Sequence, residues 1–98
     1  MFVVTVTFDV NPDHSDSFMR AMLQQATDSL EREIDCHVFE VCVGTDDLTC
    51  VYLYEKYSDA AAFDAHLQSA HFQSFDSLVK PWVVNKTVRT WHQVRGLT

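Results

Sequence analysis

The sequence predicts an α+β fold of the ferredoxin-like type, a sandwich with the element order β-α-β-β-α-β and helices on one face of an antiparallel sheet. Three observations lead to this prediction. Along the chain, apolar residues switch between the alternating spacing of strands and the spacing of helices in that order. The chain has 98 residues, enough for one core, so we expect a single domain over residues 1–98. It is 47% hydrophobic with two glycines and two prolines, as in an ordered globular protein.

The first strand and the first helix have the clearest patterns. Residues 2–10 alternate between large apolar side chains and mostly smaller or polar ones, which predicts a strand with one buried face. Residues 16–33 repeat apolar side chains at every fourth position, which predicts an amphipathic helix. Asp13 or Ser15 is the expected N-cap of this helix, because both side chains can accept a hydrogen bond from its first turn.

A hairpin is predicted after the first helix. Residues 36–43 and residues 48–57 both have strand composition, and the intervening segment 44–47, Gly-Thr-Asp-Asp, has the composition of a turn. The two strands should therefore pair with each other.

Two short helices and a last strand complete the pattern. Ser58 or Asp59 should cap the first of these helices, and Ser69 should begin a second one. Pro81 should end it, because proline cannot continue a helix. Residues 83–94 then predict a long fourth strand.

Charge and composition argue against several classes of protein. Fourteen acidic residues against seven basic ones give a net charge of −7, and the basic residues are scattered, so we expect no nucleic-acid partner. No signal peptide or membrane span is apparent, so we expect a cytoplasmic protein with no membrane partner. Glycine-rich phosphate loops and cofactor-lysine motifs are lacking too, so no cofactor is expected.

The cysteines have the pattern of structural residues. Cys36, Cys42 and Cys50 form no CxxC pair and lie in strand-like apolar stretches, where a thiol packs as a small hydrophobic group. Carboxylates rather than cations surround Cys42, which argues against a nucleophilic thiolate.

The predicted hairpin suggests a homodimer. On its first strand Phe39 and Val41 face one side, while Val38 and Cys42 face the other, so both sides look apolar. At about 25 cal/mol per Å² of apolar surface, leaving one whole sheet face in water would forgo several kcal/mol. A second copy of the sheet is the simplest cover.

The candidate catalytic residues are His66, His71 and Glu55. His66 is either a core residue or a base, and His71 lies in a first helical turn, where the helix dipole favours the neutral imidazole that a base requires. Glu55 shares a strand face with apolar residues, so it either borders a cavity or pairs with a basic residue of the last strand or of a partner subunit. The histidines lack the i, i+4 spacing of a helical metal pair and an obvious third ligand, so no metal site is expected.

Aromatic and amide side chains near these groups are candidate walls of a substrate pocket. The tyrosines and the tryptophan among them could equally be packing residues. The candidate substrate-binding residues are Tyr52, Tyr54, Phe63, Phe72, Gln25 and Trp82.

Residues spread over most of the chain match one protein family. They are Phe18, Gln25, Ser29, Leu30, Glu33, Cys36, Phe39, Glu40, Val41, Tyr54, Glu55, Tyr57, Ala62, Phe63, His66, Leu67, Ser69, His71 and Phe72. With them the sequence resembles the antibiotic biosynthesis monooxygenase domain. The resemblance implies a dimeric α/β-barrel, in which the outer sheet faces of two subunits meet and each subunit has a cavity between helices and sheet.

Members of this family include quinol monooxygenases, polyketide anthrone oxygenases, haem-degrading enzymes and an isomerase of a phosphorylated autoinducer sugar. Haem-degrading relatives carry an asparagine on the first strand, where this chain has Thr5 and Thr7, and a tryptophan on the later helix, which residues 58–81 lack. Haem is therefore disfavoured. The isomerase has a first-helix histidine at the place of Ala26, so sugar isomerisation is less favoured here but stays open.

The resulting hypothesis is a cofactor-independent monooxygenase that oxidises a small quinol or polyhydroxy-aromatic substrate with dioxygen. A histidine would remove a proton, and Glu55 would orient that histidine. The electron-rich anion could then donate an electron to dioxygen directly. Two alternatives stay open: an isomerase or lyase of a small carbonyl compound or phosphorylated sugar signal, and a non-enzymatic dimer that binds a ligand.

Overall fold

A four-stranded antiparallel sheet lies at the centre of the fold. A computed structural model describes residues 1–96, and the strand order across its sheet is β2-β3-β1-β4. The strands are β1 (Phe2–Val10), β2 (Cys36–Val43), β3 (Cys50–Tyr57) and β4 (Val83–His92), and the helices are α1 (Ser15–Arg32), α2 (Ala60–Gln68) and α3 (Ala70–Val79). This is the ferredoxin-like α+β fold that the sequence predicted. Within the described residues, no helix combines the length and apolar character needed to cross a membrane.

The ends of the elements differ from the prediction by a few residues. β1 and β2 have the expected bounds, whereas β3 begins at Cys50, two residues late, and β4 ends at His92, two residues early. The late start of β3 has a local cause, because the Asp47 carboxylate accepts hydrogen bonds from the backbone N–H (3.0 Å) and the hydroxyl (2.5 Å) of Thr49. These bonds hold the segment before Cys50 in a turn.

The predicted cap of α1 is wrong. The side chain of Asn11 accepts a hydrogen bond from the backbone N–H of Asp13 at 2.9 Å, which starts a 3-10 helix over Pro12–His14. α1 follows directly, with His14 at its N-cap position and no side-chain hydrogen bond there. Ser15 is already inside the helix, so the chain begins its turn earlier than the periodicity indicated.

The break between α2 and α3 is confirmed. Asp59 caps α2 by accepting a hydrogen bond from the N–H of Ala62 at 2.8 Å, and Ser69 caps α3 by accepting one from the N–H of Phe72 at 3.2 Å. After α3, Pro81 lies in a 3-10 helix, Lys80–Trp82, that leads into β4. The two helices are therefore separate elements.

The core lies between one face of the sheet and the helices. Val4, Val6 and Phe8 of β1 are buried there against Phe18 and Phe75 from α1 and α3. The Phe18 ring lies 5.1 Å from that of Phe8 and 6.2 Å from that of Phe75, measured between ring centres. This packing fixes the helices above the sheet.

The outer face of the sheet is less apolar than the sequence suggested. Arg89 lies 4.3 Å from the centre of the Trp91 ring, and Lys56 lies 5.7 Å from that of Tyr54. The Trp91 indole N–H donates a hydrogen bond to the Thr5 hydroxyl at 3.1 Å. The prediction of two apolar faces was therefore too simple, because the second face combines aromatic rings with charged groups.

Candidate active site

A single carboxylate joins the two candidate histidines. Oε2 of Glu33 lies 2.8 Å from Nδ1 of His66 and 2.6 Å from Nε2 of His71. Both imidazole side chains are buried, with exposed fractions of 3% and 8%, and the Glu33 side chain is 15% exposed. Sequence reasoning proposed both histidines as catalytic residues, whereas Glu33, which follows the last residue of α1, was noted only as a residue that matches the family.

The helix break explains why the two histidines meet. On one continuous helix, residues five apart point about 140° away from each other. Ser69 prevents that, because its hydroxyl donates to the backbone carbonyl of His66 at 2.7 Å and also caps the next helix. The ring centres of His66 and His71 consequently lie only 6.1 Å apart.

His66 is held as a neutral imidazole with a defined tautomer. Burial lowers its pKa, although the Glu33 carboxylate acts in the opposite direction. An ionised carboxylate can only accept, so Nδ1 of His66 carries the proton that is shared with Glu33. Nε2 then keeps its lone pair, and within residues 1–96 that nitrogen has no hydrogen-bond partner. A free basic nitrogen in an apolar setting can act as a general base.

Glu55 is a second acid/base group with a different environment. It is 3% exposed, and the Tyr57 hydroxyl donates a hydrogen bond to its Oε1 at 2.6 Å. Burial raises the pKa of Glu55 to about 7, and burial with the nearby Glu55 carboxylate raises the pKa of Tyr57. Within the described chain Glu55 makes no hydrogen bond to either histidine and no ion pair with a basic residue. The histidine-orienting position that we expected for Glu55 is occupied by Glu33.

A cavity of about 160 Å³ lies between the helices and the sheet. Its walls are mostly apolar, and the polar groups among them come from different elements, namely Gln25 of α1, His66 of α2, Glu55 of β3 and Lys86 of β4. Five residues expected at a site therefore line it together: Glu55, His66, Gln25, Phe63 and Phe72.

The remaining predicted site residues do not line this cavity. His71 borders a more open groove between α1 and α3, and it contacts the site through Glu33. Tyr52 and Tyr54 project from the outer face of the sheet, because their neighbours Leu53 and Glu55 project inward and a strand alternates its side chains. Trp82 stacks on His14 instead, with ring centres 5.5 Å apart.

Two residues of β4 at the cavity were not predicted. Lys86 and Val88 line it, and they pair in register with Phe8 and Val6 of β1. The Lys86 ammonium lies 5.5 Å from the centre of the Phe8 ring. Both residues are exposed, so the cavity opens toward β4. Their alternation along β4 was visible in the sequence, but the pairing of β4 with β1 was not.

The histidine cluster also has the composition of a metal site. One ligand atom each from Glu33, His66 and His71 lies within 4.8 Å of the others, and two histidines with one carboxylate can bind several transition metals. Glu33 could supply the third ligand that no recognisable spacing in the sequence indicated. Two short hydrogen bonds already account for this geometry, and a cation would have to replace both.

The cysteines differ in their surroundings. Cys36 is buried, and burial raises its pKa to about 12, so the thiol stays protonated and unreactive at neutral pH. Cys42 is exposed on β2, in contrast to the packed position expected, and Cys50 is partly buried. All three are free thiols.

Comparison with known proteins gives a consistent result. The family model for antibiotic biosynthesis monooxygenase matches residues 1–77. A Nitrosomonas europaea protein described as a candidate antibiotic biosynthesis monooxygenase is 25% identical, with a TM-score of 0.92 over 97% of this chain and 100% of that one. Protein SO0527 from Shewanella oneidensis is 28% identical, with a TM-score of 0.85 over 94% of this chain and 89% of that one. Rv0793 from Mycobacterium tuberculosis, 18% identical, shares the fold with a TM-score of 0.90 over 99% of this chain and 98% of that one. No curated protein matches the sequence.

Proposed function

Since the chain belongs to the antibiotic biosynthesis monooxygenase family, we propose that it is a cofactor-independent monooxygenase of a small quinol or polyhydroxy-aromatic compound. Membership by itself supports a small-molecule monooxygenase-like or ligand-binding function. The observation that carries the finer proposal is the neutral His66 imidazole, whose Nδ1 is bound to Glu33 while its ring lines the cavity.

In this proposal His66 is the base. Its Nε2 accepts a proton from a substrate hydroxyl, and the imidazolium that results is stabilised by the Glu33 carboxylate 2.8 Å from Nδ1. Aromatic rings surround it, with the ring centres of Phe72 and Tyr57 at 5.0 Å and 5.4 Å. Such walls exclude water and suit a flat substrate.

The resulting phenolate is electron-rich enough to donate an electron to dioxygen. A bond then forms between a ring carbon and one oxygen atom, the O–O bond breaks, and the second oxygen leaves as water. Overall, a quinol and dioxygen give a hydroxyquinone and one water molecule, with the four electrons supplied by the quinol. Glu55, whose pKa is raised to about 7 by burial, is suited to donate a proton to the departing oxygen.

The test is oxygen uptake and isotope incorporation. Hydroquinone, methylhydroquinone and 1,4-naphthalenediol are supplied with ¹⁸O-labelled dioxygen, and enzyme-free oxidation is subtracted. We expect one labelled atom in the hydroxyquinone and the other in water. Absence of uptake above the enzyme-free rate with every quinol would contradict the proposed reaction.

A matched pair of variants tests the base. His66→Asn keeps a donor near the position of Nδ1 for Glu33 and removes Nε2, so kcat should fall about 10²- to 10⁴-fold. His37→Asn is the control, because His37 is exposed and bound to Ser58 rather than to the cavity cluster, and it should leave kcat unchanged. A wild-type kcat in His66→Asn would show that the base is another group.

Metal removal is a separate test. Dialysis against EDTA should not alter the turnover rate. A loss of activity that added metal restores would show that the cluster binds a catalytic ion.

An isomerase is the second candidate function. Glu55, whose pKa burial raises to about 7, and His66, whose pKa burial lowers, line one cavity, and such a pair suits proton transfer between two positions of a carbonyl compound. The two functions differ in their need for oxygen. A turnover rate that is unchanged under anaerobic conditions would favour the isomerase.

We also propose that the protein is a homodimer that associates through the outer sheet face. Tyr52 and Trp91 on this face are 39% and 42% exposed, and aromatic residues of this kind are enriched at protein interfaces. Light scattering should give twice the 11.3 kDa chain mass. Trp91→Glu should shift the protein toward monomer, whereas Leu78→Glu, on the exposed side of α3, should not. A monomeric wild-type protein would contradict this proposal.

A further inference from the structure

Gln25, one of the residues that line the cavity, has a buried polar atom without a partner in the described part of the chain. Gln25 is 3% exposed, and its Oε1 has no hydrogen-bond partner among the described residues. An unsatisfied buried acceptor costs about 1–3 kcal/mol, so such atoms are rare in folded proteins. Sequence reasoning named Gln25 as a candidate substrate-binding residue, but it gave no indication that its carbonyl oxygen would lack a partner.

The orientation of this amide follows from its neighbour. The Ser29 hydroxyl donates its proton to the backbone carbonyl of Gln25 at 2.8 Å, so its oxygen can only accept from the Gln25 side chain. The group that faces Ser29, 3.5 Å away, must then be the Nε2 donor. The carbonyl oxygen is therefore the end left without a partner.

Cavity size sets a second limit. A cavity of about 150 Å³ is known to accept benzene, and the cavity here is about 160 Å³. One six-membered ring fills that space. A fused second ring would have to displace wall residues such as Phe63 and Phe72, or extend outward past Lys86 and Val88.

We infer that the cavity binds a single six-membered ring with two hydroxyl groups, one that meets His66 and one that donates a hydrogen bond to Oε1 of Gln25. This inference rests on the proposed function for the role of His66 and narrows its substrate class to monocyclic benzenediols. The second hydroxyl supplies the donor that the protein itself lacks. A ring without it leaves the Gln25 carbonyl unsatisfied and binds more weakly.

The test is anaerobic calorimetry with three benzenediols, namely catechol, resorcinol and hydroquinone, and with 4-methylphenol as the reference. The methyl group of 4-methylphenol has nearly the size of a hydroxyl but cannot donate. The measured quantity is the affinity of the tightest benzenediol divided by that of 4-methylphenol. Gln25→Met keeps the side-chain length and removes both polar ends, so this ratio should fall about tenfold from the wild type.

Gln24→Met is the matched control. Gln24 is the adjacent residue and bonds to Asp28 on the exposed side of α1, so its replacement should leave the ratio unchanged. Gln25→Met should fold at least as stably as the wild type, because it removes an unsatisfied buried acceptor. If Gln25→Met does not fold, the wild-type comparison still decides. The tightest of the three benzenediols should bind the wild type more tightly than 4-methylphenol, and equal or weaker binding of all three would overturn the inference.

Ring size gives an independent readout. 1-Naphthol is more hydrophobic than phenol, yet it should bind the wild-type protein no more tightly than phenol. Tighter binding of 1-naphthol, or an unchanged affinity ratio in Gln25→Met, would overturn the inference. These affinities are measured without turnover. The inferred mode of binding can therefore be confirmed even if the protein shows no oxygen uptake. The converse result is also possible. If the protein oxidises 1,4-naphthalenediol and Gln25→Met leaves the affinity ratio unchanged, the monooxygenase proposal is supported and this inference is wrong.

Discussion

Glu33 and Glu55 are two carboxylates close to one cavity, and they differ in what surrounds them. Glu33 is the C-cap residue of α1, is partly exposed, and accepts hydrogen bonds from two imidazoles. Glu55 lies within β3, is fully enclosed, and accepts a hydrogen bond from a single phenol. Glu33 can therefore balance a positive charge on His66 during proton transfer, whereas burial raises the pKa of Glu55 to about 7, so that both its protonated and its ionised form are populated near neutral pH.

The comparison shows how one residue type supplies two chemical roles. A carboxylate next to a group that can become cationic favours the ionised form, and a carboxylate in an apolar enclosure favours the protonated form. Environments that separate the protonation behaviour of two groups in this way are typical of acid/base sites.

The largest effect should come from removing the Glu33 carboxylate. Glu33→Ala leaves two buried imidazole nitrogens without their partner, which should lower the free energy of unfolding by about 2–4 kcal/mol in urea denaturation at pH 7.5. Glu33→Gln keeps an acceptor oxygen and should lose less. Glu31→Ala, on the exposed side near the same helix end, is the control. Equal stability of Glu33→Ala and Glu31→Ala would mean that the cluster contributes nothing to stability.

Glu55 should contribute to stability in a way that depends on pH. The pKa of Glu55 rises from 4.5 to about 7 on folding, so the folded protein holds this proton more tightly than the unfolded chain. The associated stability is present below pH 4.5 and is lost as the pH rises through about 7. This shift corresponds to about 3 kcal/mol as an upper value.

Glu55→Gln cannot titrate, so its stability relative to the wild type should rise by about 2–3 kcal/mol between pH 4.5 and pH 8. Urea denaturation at several pH values measures this difference. Glu40→Gln, an exposed position on β2, should show no such trend. A difference that stays constant with pH would show that folding does not raise the pKa of Glu55.

The smallest effect should come from Ser69, at the break between α2 and α3. This break positions the two histidines that bind Glu33 and does not involve Glu55. Ser69→Ala removes the cap of α3 and the bond to the His66 carbonyl, and it should cost about 1 kcal/mol. In the oxygen-uptake assay it should also lower kcat, because His66 and His71 lose their fixed separation. Ser74→Ala on α3 is the matched control. The pH trend of Glu55 should be the same in Ser69→Ala as in the wild type, and a changed trend would show that the two carboxylates are coupled.

Much of the fold was readable from local patterns. The alternation over β1 and the four-residue period of α1 are properties of neighbouring residues, so they predicted these elements within a residue or two. Ser69 was recognised as a cap because the capping bond spans only three residues. The cap of α1 was missed because Asn11 begins a 3-10 helix, a feature that periodicity does not detect.

The site was only partly readable. The sequence selected His66, His71 and Glu55 by residue type and position, but it assigned Glu55 as the partner of the histidines, a position that Glu33 occupies in the structure. It also grouped Tyr52 and Tyr54 with the cavity, although strand alternation directs them to the other face of the sheet.

The sequence by itself determined the elements, their order and the residue types near the site, because hydrophobic period and capping act over a few residues. Only the tertiary structure decided that Glu33 meets two histidines 33 and 38 residues away, that β4 adds Lys86 to the cavity wall, and that Gln25 has an acceptor without a partner. These contacts depend on how α1 and β4 pack against the rest of the chain. Packing between segments distant in sequence leaves no local periodicity from which it could be predicted.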